Sequence, residues 1–261
     1  LGDLGYERPT SIQEQAIPLL LDGCDVLGAA QSGTGRTGAF LLPTLQRLAF
    51  AGAARPRRAR ALVLTPTREL ALQVFESARS YAAHLELSSA VVHGGVKLPP
   101  QVRQLAAGVD LLVATPGCLL DLLGQNAVRF DHLEVFVLDE ADRMLDMGFI
   151  HDIRRVTDLL PRNRQTLIFS ATFSPDIRRL AGRCLDEPRE VHVAPEHTAT
   201  EHVEPRAYSV EKEHETARPG VEGSSIGTAA MAGKARPSGP VRAIQRPGPP
   251  PRQAEIGRAH V

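Results

Sequence analysis

Tryptophan is absent from this chain, and aromatic residues make up only 4% of it. A core without large rings is aliphatic, and the 43% apolar content is ample for a sheet buried under helices. No apolar run reaches the roughly 18 residues that a membrane-spanning helix requires. A basic stretch followed by an apolar one, the mark of a secretory signal, is also missing from the N-terminus. No membrane partner is therefore expected. Cysteine is scarce: Cys24, Cys118 and Cys184 share no metal-ligand spacing, and an odd number argues against a disulfide framework. A reducing, cytoplasmic compartment is the expectation. Excess charge of either sign is lacking too, with 30 basic and 30 acidic residues. Neutrality ordinarily weakens a nucleic-acid reading. It does not exclude one, because backbone amides and a few local arginines can hold phosphates without a positive total.

At 261 residues the chain could hold one large or two modest domains. Short apolar, β-branched runs recur at Asp25–Leu27, Ala61–Thr65, Ala90–His93, Asp110–Ala114, Val135–Leu138, Thr166–Ser170 and Val191–Val193. Amphipathic stretches lie between them at Arg68–Leu85, Leu98–Ala107, Phe149–Leu160 and Ser174–Leu185. Strands alternating with helices predict βαβ units and a mostly parallel sheet with helices on both faces. Ligands of such sheets sit beyond the carboxyl ends of the strands, and Gly33, Pro66, Thr115, Asp139 and Ser170 all fall there.

The character changes past residue 205. Residues 219–251 contain seven Pro and six Gly among 33, and no Leu, Phe, Tyr or Trp follows Tyr208. Such a segment cannot bury enough apolar surface to offset its ordering entropy, which predicts disorder over 206–261. Residues 218–261 carry seven basic and two acidic side chains, against 23 and 28 in residues 1–217, so a basic RNA-binding tail is one reading of the segment. The other is a frameshift near Glu211 and an artefactual end, since Ile256–Val261 translates a common sequencing-adapter oligonucleotide.

Chemistry concentrates first in Ala30-Gln31-Ser32-Gly33-Thr34-Gly35-Arg36-Thr37. The phosphate-binding loop follows G-x-x-x-x-G-K-[ST] between a strand and a helix; here Ala30 replaces the first glycine and Arg36 the lysine. Ser32, Gly33, Thr34 and Gly35 can converge backbone N–H groups on phosphate oxygens at a helix N-terminus. An ordinary capped strand-to-helix turn would also explain the glycines. Val135–Leu138 then leads into Asp139-Glu140-Ala141-Asp142. A strand ending in two acids suits a magnesium nucleotide, with Asp139 on the metal's water shell and Glu140 on the attacking water. Taken alone, the acidic run is a solvated turn; with a phosphate loop upstream that reading recedes.

These blocks together resemble the first RecA-like domain of a DEAD-box RNA helicase, the family named for residues of the type at 139–142. Gly5–Gln13 is similar to its adenine-reading Q motif, which implies that Gln13 reads the base and Tyr6 flanks it. Thr37 and Asp139 would hold Mg²⁺, partly through water, and Arg36 would take the place of the lysine that handles the transferring phosphate of ATP. Pro66-Thr67-Arg68-Glu69-Leu70, Gly94-Gly95 and Thr115-Pro116-Gly117 resemble the blocks that grip an RNA backbone without reading its sequence, making Pro66, Thr67, Arg68, Gly94, Gly95, Thr115 and Gly117 the implied RNA residues. Ser170-Ala171-Thr172 resembles the block that couples hydrolysis to strand separation, with Asp142 joined to Ser170 and Thr172 by hydrogen bonds.

The resemblance implies a RecA-like P-loop domain over residues 1–205, acting as a monomer. A second RecA-like domain would be needed for full activity, and no counterpart of its arginine-rich motif follows. Two departures stand out. Arg36 exchanges a compact ammonium for a planar fork, which is not conservative at a tight site, and Cys118 stands where the family carries arginine. Each lies a single nucleotide change from the family's residue, so sequencing error is an alternative for both. The reading is an ATP-hydrolysing RNA helicase domain; its alternative is a hydrolysis-deficient fragment that binds RNA and ATP. A DNA-directed helicase is disfavoured by Gln13 and Asp142.

Overall fold

Aliphatic runs form most of the strands, as burial on both faces demands. The computed structural model describes residues 2–50 and 52–193. Its strands are β1 (Val26–Ala29), β2 (Ala59–Leu64), β3 (Ser89–Val92), β4 (Val109–Ala114), β5 (Val135–Leu138), β6 (Gln165–Ser170) and β7 (Arg189–His192). They make one sheet in the order β3-β4-β2-β5-β6-β1-β7, and every neighbouring pair is parallel. The intervening helices are α1 (Ser11–Leu21), α2 (Arg36–Ala49), α3 (Arg68–Tyr81), α4 (Leu98–Leu105), α5 (Pro116–Gly124), α6 (Ala141–Asp146), α7 (Ile150–Asp158) and α8 (Pro175–Cys184).

Alternation along each strand divides the core in two. Leu62 and Leu64 of β2 and Phe136 and Leu138 of β5 pack with Leu119, Met144, Ile153 and Ile177, so α5 to α8 cover that face. Ala61, Val63, Val135 and Val137 turn the other way and meet Ile12, Phe40, Leu41 and Val74 from α1, α2 and α3. One glycine in the sheet is dictated by this packing. A Cβ on Gly28 would lie 2.7 Å from the Phe169 ring, which itself packs against Phe40 with centroids 5.6 Å apart.

Among the described residues, charge enters the interior only with partners. Arg60 is 5% exposed and pairs with Asp110 and Glu134, each at 2.9 Å. Asp110 also accepts from the Ser88 N–H and hydroxyl. Burial pushes its carboxyl up, but the Ser88 and Arg60 hydrogen bonds outweigh that and hold it below its usual range. Asp25 closes the same end of the sheet by accepting from the backbone N–H groups of Thr166 and Asp186.

The expected strands all occur, with no end moved by more than two residues. Helix α3 stops at Tyr81 rather than Leu85, and α7 and α8 each lose a residue or two from the expected ends. The expected domain end near 205 and the expected disordered segment 206–261 lie outside the described residues. Among the described residues no helix is long and apolar enough to cross a membrane.

Candidate functional site

The phosphate-loop residues leave β1 at Ala29 and enter α2 at Arg36. Gly33 and Gly35 both have φ of 87°, a left-handed turn that glycine adopts without steric cost. Gly35 is also crowded, since a Cβ there would lie 2.7 Å from Thr10 Oγ1 and 2.8 Å from Gln13 Nε2. The loop therefore lies close against α1, and the 14-residue α2 offers its positive N-terminal end behind it. Thr34 Oγ1 turns back to donate to the Gln31 carbonyl at 2.7 Å, whereas Ser32 Oγ donates across to Glu140 Oε1 at 2.8 Å. Thr37 sits half-buried in the first turn of α2.

Asp139 and Glu140 follow β5 directly, so the parallel sheet delivers them to the same end as the loop after β1. Arg36, 5% exposed, spans both: its Nε lies 2.8 Å from Asp139 Oδ1 and its terminal nitrogen 3.2 Å from Glu140 Oε1. Its remaining nitrogen donates to the Ala30 carbonyl at 3.0 Å. Asp139 is 1% exposed, and its Oδ2 is buried without a hydrogen-bond partner. Burial pushes its carboxyl up to about 6, with the Arg36 charge pulling the other way. Glu140 is lifted less by burial, and the Ser32 hydroxyl with Arg143 and Arg36 holds it below the usual carboxylate range. Its backbone is left-handed, φ 55° and ψ 50°, a conformation that costs a non-glycine residue of order 1 kcal/mol or more.

The loop's glycines and the helix end fit a nucleotide polyphosphate. The metal half fits less well, because the guanidinium already takes Asp139 Oδ1 and Glu140 Oε1. Mg²⁺ needs free oxygens in a strict octahedron.

The expected base-reading pair is engaged within the chain. Gln13 is 4% exposed; its Oε1 accepts from the Thr10 N–H at 3.1 Å and its Nε2 donates to the Gly35 carbonyl at 3.0 Å. That arrangement closes the first turn of α1 and latches it to the phosphate loop. The Tyr6 hydroxyl shares a 2.7 Å hydrogen bond with that of Tyr81, their rings meeting edge to face. Burial and this bond push the Tyr81 phenol up.

At the coupling block, Asp142 Oδ2 accepts the Ala171 N–H at 3.0 Å, and Ser170 Oγ accepts the Thr172 N–H at 3.5 Å. Asp142 thus reaches the expected segment through its backbone and not through the Ser170 or Thr172 hydroxyls.

Five of the seven expected RNA residues line one shallow groove of about 420 Å³: Pro66, Arg68, Gly94, Thr115 and Gly117. Gly95 borders it, with φ of 81° and Arg68 within 3.4 Å of where its Cβ would be. Thr67 has a different task, since its Oγ1 caps α3 by accepting the Leu70 N–H at 3.2 Å. Glu69, Cys118 and Phe149 complete the lining. Cys118 is buried and turned toward Gln101, so the wall carries a thiol where a cation was expected. Tyr81, Arg143 and Phe149 went unnoticed in the sequence. Arg143 carried a signal, standing three residues after Glu140 in the first turn of the helix that Glu140 caps; Tyr81 and Phe149 carried none.

A family model described as DEAD/DEAH box helicase matches residues 10–180. The chain belongs to that family. It is 44% identical over 194 residues to the ATP-dependent RNA helicase DeaD of Escherichia coli K12, covering 74% of this chain and 30% of that protein. The DEAD-box ATP-dependent RNA helicase CshA of Streptococcus pneumoniae is 42% identical over 200 residues, covering 77% and 37%. Among solved structures, the yeast DEAD-box splicing factor Prp28 superposes with a TM-score of 0.69 at 32% identity, covering 74% of this chain and 47% of that one. The chain spans less than half the length of each of these relatives. Its helicase fold is thus the RecA-like parallel sheet that the blocks implied.

Proposed function

We propose that this chain is the ATP-binding and hydrolysing domain of a helicase that remodels RNA duplexes or RNA–protein complexes. The observation that carries the reading is the meeting of residues more than one hundred positions apart: Ser32 touches Glu140 and Arg36 touches Asp139 at the carboxyl end of the sheet. In this role Gly33, Thr34 and Gly35 present N–H groups to the phosphates, and Thr37 lies beside them. Glu140 orients the water that attacks the terminal phosphate, its carboxylate kept ionised by Ser32 and Arg143. Asp142 ties this centre to the segment 170–172. Arg68 and the glycine-lined groove hold an RNA backbone, where contacts carry no base information.

Names of the relatives support ATP and RNA as ligands. Mg²⁺ is the family's usual companion of ATP, and Thr37 and Asp139 stand where its ligands would be, although Arg36 already holds Asp139 Oδ1; a monomer in the cytoplasm, completed by a second RecA-like domain, is the expected working form. A second reading, a hydrolysis-deficient module that binds ATP and RNA, is favoured by one observation: Arg36 holds both Asp139 and Glu140. Phosphate release measured with and without single-stranded RNA, on the native chain and on Arg36→Lys, tests the two. Turnover that rises with RNA in both forms supports the enzyme; turnover only in Arg36→Lys supports the second reading. If both forms stay silent with a second RecA-like domain supplied, hydrolysis is excluded.

A further inference from the structure

The contact that strains the usual metal site also defines what the site accepts. Four oxygens belong to Asp139 and Glu140. Arg36 takes Asp139 Oδ1 and Glu140 Oε1 at 2.8 and 3.2 Å. Asp139 Oδ1 also accepts the Glu140 N–H, Glu140 Oε1 the Ser32 hydroxyl, and Glu140 Oε2 the Arg143 guanidinium at 3.2 Å. Only Asp139 Oδ2 lacks a partner, and it is sealed from solvent. All three Arg36 nitrogens are engaged, the third with the Ala30 carbonyl of the phosphate loop.

A planar guanidinium fork suits two adjacent carboxylates better than an ammonium does. Breaking a buried ion pair leaves an uncompensated charge, which is costly. A divalent ion would have to displace this pair and then find itself next to a second, permanent cation. The carboxylates that would face a nucleotide's metal are therefore already neutralised in part by Arg36 and Arg143 of the chain itself.

We propose that Arg36 replaces the metal, making this a site for metal-free nucleoside di- and triphosphates. The inference rests on the nucleotide reading above and goes past it by naming the form of the ligand. The guanidinium offsets the Asp139 and Glu140 charge that would otherwise repel a polyphosphate, and Asp139 serves as its anchor instead of a metal ligand. No bond is made or broken in this step.

The probe is N-methylanthraniloyl-ADP, titrated by fluorescence into the full chain in millimolar Mg²⁺ and again in EDTA. The native chain should bind with affinities within about twofold of one another. Arg36→Lys, checked for folding by circular dichroism, should bind at least about tenfold more tightly with Mg²⁺, since a compact ammonium leaves room beside the carboxylates. A native chain that gains about tenfold from Mg²⁺ overturns the inference while leaving the nucleotide site intact. So does an Arg36→Lys chain indifferent to Mg²⁺, or a native chain that binds nothing while the variant binds. If neither form binds the probe, the nucleotide reading itself falls and the inference falls with it.

Discussion

Replacing Gln13 by alanine separates two roles that one amide could play. In the structure the amide is 4% exposed and both ends are used, on the Thr10 N–H and the Gly35 carbonyl. Losing two such hydrogen bonds costs about 1 kcal/mol each, and a weakened helix N-terminus adds a further fraction. The Gly35 carbonyl keeps the Ala39 N–H as a partner, so no orphaned acceptor enlarges the sum. A total near 2–3 kcal/mol lowers Tm by roughly 5–10 °C, at about 2–4 °C per kcal/mol for a domain of this size. Thermal unfolding of the nucleotide-free chain, followed by circular dichroism, measures it. Gln13→Glu keeps an acceptor for Thr10 but loses the donor to Gly35, and should fall between the two. A Tm for Gln13→Ala within about 1 °C of the native value refutes the latch and leaves the amide free for an adenine base.

Gly28→Ala should destabilise the fold by about 1–3 kcal/mol, because its Cβ meets a fully buried ring at 2.7 Å; chemical denaturation reads the change, and Phe169→Leu in the same chain should recover part of it. Asp110 is held below its unfolded value of 3.8, so its share of stability is present above that pH and fades as pH falls through the lower folded value. Acid unfolding of Asp110→Asn should lose that component of its pH dependence, and an unchanged acid limb would contradict the assignment. Arg68→Ala should weaken binding of single-stranded RNA by a similar factor for every sequence and lower the salt slope by about one; a sequence-dependent loss, read by fluorescence anisotropy, would rule out a backbone contact.

The sheet was legible because strands buried on both faces must be written as aliphatic runs, and Val135–Leu138 matches its expectation residue for residue. Shorter or less bulky ends were not: β1 runs on through Gly28-Ala29, where nothing in the composition signals a strand. Helix α1 was hidden by Pro18 in its interior. At the site, residue types announced the phosphate loop and the acids, since few other arrangements need them in that order. What each side chain touches was less readable. Thr67 stands in an RNA-gripping block yet caps a helix, Gln13 latches two elements, and Tyr81 meets Tyr6 across 75 residues of chain. These are properties of distances in space, and local pattern does not encode them.

The place of β1 in the sheet carries a consequence for how the chain folds. It lies between β6 and β7, pairing Val26 with Leu167 and with Arg189, so its two neighbours are among the last strands made. Closing loops of that length is entropically slow, and parallel pairings between distant segments set the pace of folding. The phosphate loop hangs from the end of β1, and Asp139 from β5, with β6 between them. An intermediate that lacks β6 cannot hold these two halves together. Recovery of nucleotide binding during refolding should therefore report completion of the sheet, arriving with the slowest structural phase and never before it.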